Sequence, residues 1–201
     1  MVVLAACVAL VTACGGAPSR PRSYPGVLHA PSTLGADFLT RQRIVATYQD
    51  QRVSFDAVVQ KRADTLTLLG LTPFGSRAFL LEQRGGAVRF VSYVPRDLPF
   101  PPRNILIDVH RVFFFGIAPR GRALSDGAHV ATREGEIVRE RWSAGRLVER
   151  RFTRASGDPR GEIAIRYQGG APPNGAARRI DLANGWFGYR LVIDTLAFQR
   201  L

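Results

Sequence analysis

From Arg43 onward apolar and polar positions alternate with a period of two, in runs bounded by Gly, Asp and Pro, which predicts many antiparallel strands with one buried face each. Ile44, Ala46 and Tyr48 alternate with polar neighbours, Gln49-Asp50-Gln51 turns the chain, and Val53, Phe55, Ala57 and Val59 resume the pattern as a first hairpin. Leu66, Leu68 and Gly70 follow, and residues 77–83 and 87–94 are separated by the turn signal Arg84-Gly85-Gly86. After Gly121 the alternation returns over residues 130–133, 137–142, 147–153, 162–167, 178–182 and 189–198. Between these halves the period changes. Beyond Pro99, Pro101 and Pro102, apolar residues fall at Ile105, Leu106, Val109, Val112, Phe113 and Ile117, the spacing of a helix face. Pro102 suits the first helical turn, where its missing N–H costs nothing. The spacing predicts one amphipathic helix over 104–115, running on into Phe114-Phe115-Gly116, and a short helix precedes the first strand over 31–39. The expected fold class is mainly β (α+β), one domain over residues 32–201.

Two of the strands carry a conflict with their own alternation. In one register Val138, Glu140 and Trp142 share a face opposite Val148, Arg150 and Phe152, setting Glu140 across from Arg150 among apolar neighbours. Either this is a cross-strand ion pair or it is a polar anchor inside a ligand cavity.

Composition narrows the compartment more than the chemistry. The chain has 201 residues, 46% hydrophobic and 22% charged, enough for one sizeable core and ordinary for a globular body. Its net charge of +12 comes from arginine, Lys61 being the single lysine. The arginines are spread along outer strand faces, as at Arg41, Arg43, Arg52, Arg139, Arg141 and Arg178, and read as a solvated surface under codon bias or as contacts to anionic headgroups. No nucleic-acid site is expected. Residues 1–13 are apolar and uncharged, too short for a spanning helix. Val11-Thr12-Ala13-Cys14 then resembles the lipobox of bacterial lipoprotein precursors, although no Lys or Arg precedes the apolar run. The resemblance implies a signal peptide over 1–13, cut before Cys14, whose thiol and amine receive acyl chains, and a flexible Pro-, Gly- and Arg-rich tether over 14–31. Cleavage removes Cys7, so Cys14 is the sole mature cysteine and no disulfide is expected. Gly15 after the cysteine implies delivery to the periplasmic face of the outer membrane.

Little in the sequence points to catalysis. Asp108 and His110 are two residues apart, and on a helix such positions do not face each other. His29 lies in the expected tether and His129 opens a strand. No His-Glu-x-x-His, Gly-x-Ser-x-Gly, phosphate loop or Gly-x-Gly-x-x-Gly occurs. The expectation is a protein without catalytic residues, metal or cofactor.

Leu69-Gly70-Leu71-Thr72-Pro73-Phe74-Gly75, within residues 64–75, followed by Ala78-Phe79-Leu80-Leu81, resembles the core motif of a bacterial lipoprotein family, domain of unknown function 3261. Residues 98–112 and 135–167 and Gly188-Tyr189-Arg190-Leu191-Val192-Ile193 match as well. The motif must turn sharply at Pro73, Phe74 and Gly75, where Gly75 tolerates a positive φ. That family is similar to the LolA/LolB group of lipoprotein carriers and receptors. The likeness implies a strongly curved antiparallel half-barrel closed by one or two helices over an apolar cavity that holds acyl chains of a membrane lipid. Candidate cavity liners are Phe55, Leu66, Leu68, Phe79, Leu106, Val109, Phe113, Trp142 and Tyr189, with Glu140 and Arg150 as polar candidates. Two rivals stand beside a lipid-binding envelope lipoprotein: a module that docks another envelope protein over a filled core, and an accessory enzyme on lipid intermediates.

Overall fold

Among the described residues eleven antiparallel strands form one sheet, and a single α-helix lies on its buried face. The computed structural model describes residues 24–95, 100–119, 121–156 and 161–201. The expected signal segment, Cys14 and Leu98-Pro99 of the family motif lie outside the described residues. The strands are β1 (Phe38–Tyr48), β2 (Gln51–Arg62), β3 (Thr65–Leu71), β4 (Arg77–Arg84) and β5 (Ala87–Ser92), then helix α1 (Pro102–Phe113). After the helix come β6 (Gly127–Arg133), β7 (Glu136–Ser143), β8 (Arg146–Arg154), β9 (Glu162–Ala171), β10 (Arg179–Asn184) and β11 (Tyr189–Arg200).

The order across the sheet is β5-β4-β3-β2-β1-β11-β10-β9-β8-β7-β6. The first and last strands pair at the centre, and the two strands that flank α1 in sequence are the two edges. The helix therefore crosses the face from one edge to the other. Strand β4 and strand β7 stand eight interstrand steps apart, about 38 Å if the sheet were flat at about 4.8 Å per step. Two consecutive helix residues nevertheless reach both: His110 Nε2 meets Gln83 Oε1 of β4 at 2.9 Å, and Arg111 Nη2 donates to Glu136 Oε1 of β7 at 2.8 Å. The sheet must curl around the helix for both bonds to exist. It stays open, since β5 and β6 do not pair.

Between the two edge strands, which bury no residue fully, the strands bury alternate residues on the concave side over much of their length, as the period of two requires, and Leu66, Leu68, Leu81, Val138, Phe152, Ile163, Ile165 and Ile180 form a continuous core. The helix starts with Pro102 at its first position, and the backbone N–H of Phe114 closes it on His110 O. It is buried nearly all round, including Asp108, His110 and Arg111, because it sits inside the curl rather than on its outside. No helix among the described residues is long and apolar enough to cross a membrane.

Several expectations need correction. In place of a helix over 31–39 there is one 3-10 turn, Pro31–Thr33, because Phe38 already pairs with Arg200 and Lys61 as the first residue of β1. The main helix stops at Phe113, one turn before Gly116, where the chain turns away to begin the crossing to β6. Trp142 faces Leu147 rather than Val148, since a bulge after Arg141 shifts the register by one residue. Residues 24–31, expected to belong to the tether, are docked. Tyr24 stacks on Phe187 at 4.9 Å, Pro25 O accepts from Arg111, and His29 O accepts from Gln83. Tyr24 and the buried Pro25 and Pro31 give this stretch apolar surface to bury, which a solvated linker lacks.

The motif turn forms between β3 and β4. Gly75 N donates to Thr72 O at 2.9 Å with Gly75 at φ +80°, and Phe74 at the tip is 94% exposed.

Candidate functional site

Helix α1 ends against the start of β1 and the end of β11, and the packing there is aromatic. Phe38 lies 5.7 Å from both Phe113 and Phe114 and 5.6 Å from Phe198, between ring centroids. Bulky rings leave a gap where three segments meet, and a half-open cavity of about 180 Å³ remains. Its walls come from Leu34 and Phe38 before and in β1, Val112 and Phe113 of α1 and Phe114 just after it, Trp142 of β7, Leu147 and Arg150 of β8, Ile180 of β10 and Phe198 of β11. The connection 172–177 borders it on one side and Gly116, Ala118, Pro119, Gly121 and Arg122 on the other, joined by Asn174 Nδ2 donating to Gly121 O at 3.4 Å.

The polar wall of this cavity satisfies itself. Glu140 and Arg150 are 2% and 7% exposed, and Arg150 Nε donates to Glu140 Oε1 at 2.7 Å. Trp142 Nε1 and the Ile117 N–H also donate to the Glu140 carboxylate, at 3.0 and 3.1 Å. Burial alone would raise the Glu140 pKa; the Arg150 charge and these donors outweigh it and hold the carboxyl below the usual range. Arg150 Nη1 donates to Arg111 O at 2.7 Å and the Tyr167 hydroxyl to Val112 O at 3.0 Å. These two carbonyls belong to the last turn of α1 and have no intrahelical partner; Arg150 satisfies one and Tyr167 the other, and the Arg150 cation complements the helix dipole. Gly116 allows the approach, since a Cβ on it would lie 2.3 Å from Arg150 Nη2 and from Glu140 Oε1.

Another face of α1 holds a second buried cluster. Asp108 accepts from the Tyr24 hydroxyl at 2.6 Å, from Asn184 Nδ2 at 2.9 Å, from Arg111 Nη1 at 2.8 Å and from the Tyr189 hydroxyl. Burial, then the Asp108 charge, push both tyrosines well above the ordinary phenol range, so both stay protonated and donate to Asp108, while the Tyr24 oxygen also accepts from Asn184 Nδ2. Arg111 also pairs with Glu136, whose pKa is raised by burial and only partly restored by Arg111. His110 points elsewhere, to Gln83, so Asp108 and His110 form no acid/base pair. Burial, with the His29 ring 6.5 Å away, lowers the His110 pKa to about 4. A base with a depressed folded pKa loses stability as pH falls from its unfolded value of about 6.5 towards the folded one. Urea midpoints should therefore drop between pH 7 and pH 4 by the equivalent of about 3 kcal/mol. In His110→Asn that part of the slope should vanish, and an unchanged slope would refute the assignment.

Among the described residues no group of three or more His, Cys, Asp and Glu is placed to hold a metal ion. The sequence profile of a protein family of unknown function, DUF3261, matches residues 39–197, from the second residue of β1 almost to the end of β11. The chain belongs to the DUF3261 family. Among curated proteins no relative matches by sequence. Solved structures similar to this DUF3261 chain include a domain described as that of an outer membrane lipoprotein-sorting protein from Vibrio parahaemolyticus, with 10% identity, TM-score 0.47, and coverage of 82% of this chain and 85% of that one. A LolA superfamily protein from Nitrosomonas europaea has 12% identity and TM-score 0.42, covering 85% and 87%. A DUF1329 family protein from Desulfovibrio piger has 10% identity and TM-score 0.32, covering 84% and 87%.

In this DUF3261 chain the candidate residues separate into groups. Phe113 and Trp142 border the cavity together with Arg150, while Glu140 stands behind Arg150. Leu66, Leu68 and Leu106 are core, and Val109 packs against it. Tyr189 is tied to Asp108. Phe55 and Phe79 pack edge to face at 5.9 Å, with Phe79 over Gly70, away from the cavity. Pro73, Phe74 and Gly75 form the β3–β4 turn and do not line it. The alternation reading passed over Leu34, Phe38, Phe114, Tyr167, Ile180 and Phe198. The alternation that would have shown Phe38 lies ahead of Arg43, in a segment read as helix, and the meeting of β1 with β11 has no local signal.

Proposed function

We propose that this protein is a cell-envelope lipoprotein, anchored through Cys14 at the periplasmic face of the outer membrane, that holds the apolar end of a ligand without converting it. The observation that carries the reading is the cavity itself: aromatic and aliphatic walls, a half-open mouth, and a polar wall whose hydrogen bonds are already made. Size decides what it takes. An apolar cavity of about 150 Å³ accommodates benzene, so about 180 Å³ suits one ring or a chain end of about six carbons. A whole acyl chain would not be enclosed. The sorting role named for the Vibrio parahaemolyticus domain is compatible with such a grip on a chain end.

The test is a series of n-alkanols from four to twelve carbons, titrated against the full chain carrying Cys14→Ser. Affinity should rise about fourfold per methylene, at about 0.8 kcal/mol each, and level off near six carbons. Phe113→Asp should abolish binding and keep the circular dichroism of the fold. Lack of saturable binding at every length sinks the proposal. The second reading, a docking module for another envelope protein, draws on the small cavity volume and on the completely buried Leu66 and Leu106. It would be favoured by one reproducible crosslinked protein together with no alkanol binding.

A further inference from the structure

Among the described residues four charged side chains border the cavity: Asp37, Arg122, Arg150 and Arg200. Two of these charges are already answered. Asp37 accepts from Lys61 Nζ at 2.6 Å, and Arg150 is paired with Glu140 at 2.7 Å while also bonding the helix carbonyl of Arg111. Arg122 and Arg200 are exposed and have no carboxylate partner among the described residues. They come from distant parts of the chain, one from the segment after α1 and the other from the end of β11, and the fold brings both to one cavity. Behind them the surface is apolar, with Phe38, Phe113, Ile180 and Phe198. An occupant would meet a hydrophobic interior and uncompensated positive charge at the rim.

Resting on the ligand-holding role proposed above, we infer that the occupant is an anionic amphiphile, its ring or chain end inside and its carboxylate or phosphate head against Arg122 and Arg200. Guanidinium groups bind both heads in a forked, charge-assisted geometry, and they repel a cationic head. Because the two arginines are exposed, each contributes a modest factor, about threefold.

The experiment compares octanoate, octyl phosphate, octanol and octyltrimethylammonium on the full chain carrying Cys14→Ser, at low salt, by displacement of N-phenyl-1-naphthylamine. Both anions should bind about tenfold more tightly than octanol, and the cation more weakly than octanol. The tighter of the two anions identifies the head group. In Arg122→Gln/Arg200→Gln the octanoate-to-octanol affinity ratio should fall to near one. Arg52→Gln/Arg89→Gln removes the same charge from exposed positions off the cavity and should keep the ratio. Equal binding of octanol and both anions overturns the inference while leaving the ligand-holding role intact, as does loss of the ratio in the Arg52/Arg89 variant. Failure of all four compounds to bind overturns both.

Discussion

Glu140→Ala should cost the domain about 3–5 kcal/mol of folding stability, read as a lower urea midpoint at unchanged slope. Among the described residues the Glu140 carboxylate is the one counter-charge of Arg150, which is 7% exposed, and its removal leaves a guanidinium buried among Phe114, Trp142 and Tyr167. Such a loss is a large share of the roughly 5–15 kcal/mol that holds a domain of this kind together. The double variant Glu140→Leu/Arg150→Met should recover most of it, because a buried pair replaced by apolar groups of similar size is close to neutral. Recovery will be incomplete, since Arg150 also satisfies the Arg111 carbonyl at the end of α1. A double variant as unstable as the single one would show that the pair holds the helix chiefly through that carbonyl bond. Because the folded pKa of Glu140 is depressed, its stabilisation is present above the ordinary carboxylate range and is lost as pH falls through the folded value.

Arg111→Met should be comparably damaging, about 3–5 kcal/mol, and with an opposite dependence on pH. Arg111 is 1% exposed and stands between Asp108 and Glu136 at 2.8 Å from each, with the Pro25 carbonyl as a third acceptor. Without it, two carboxylates are buried with no cation. Glu136 already has a raised pKa, so in the folded state it binds a proton more readily than when unfolded, and stability falls as pH rises above its unfolded value. Loss of Arg111 strengthens this. The deficit of the variant relative to wild type should therefore shrink on going from pH 7 to about pH 4.5. A deficit that is constant with pH would mean that lost packing, including the stacking of Arg111 on Tyr24 and Phe152, dominates over charge.

The Arg111 variant also bears on the docked N-terminal segment. Arg111 holds Pro25 and lies under Tyr24, so Arg111→Met loosens residues 24–31 as well as the helix. A protein trimmed to residue 32 loses the Tyr24 bond to Asp108 and the Gln83 bond to His29 O.

Much of the architecture was readable along the chain, because a strand with one buried face writes its period of two into the residues that form it. The runs at β3, β4, β5, β7, β8, β10 and β11 lie within two residues of their observed bounds. Pro102 and the helical spacing after it located α1 for the same reason, and the alternation of Val138, Glu140 and Trp142 placed Glu140 opposite Arg150. What failed was local in a different sense. A bulge moves the register by one residue without altering composition, so Trp142 meets Leu147. Pro-rich residues 24–31 read as linker because their partners, Asp108, Arg111 and Gln83, are remote in sequence.

By itself the sequence determined the strand-rich class, the one central helix and the charged pair inside an apolar face, since each depends on neighbours a few residues apart or on one hairpin. Only the tertiary structure decided which apolar residues face empty space and which face each other. Leu106 and Phe113 occupy the same helical stripe, yet one is core and the other lines the cavity. That difference arises from the closing of β1 on β11 and the curl of the sheet around α1, which join residues more than a hundred positions apart through contacts that leave no periodic trace in the chain.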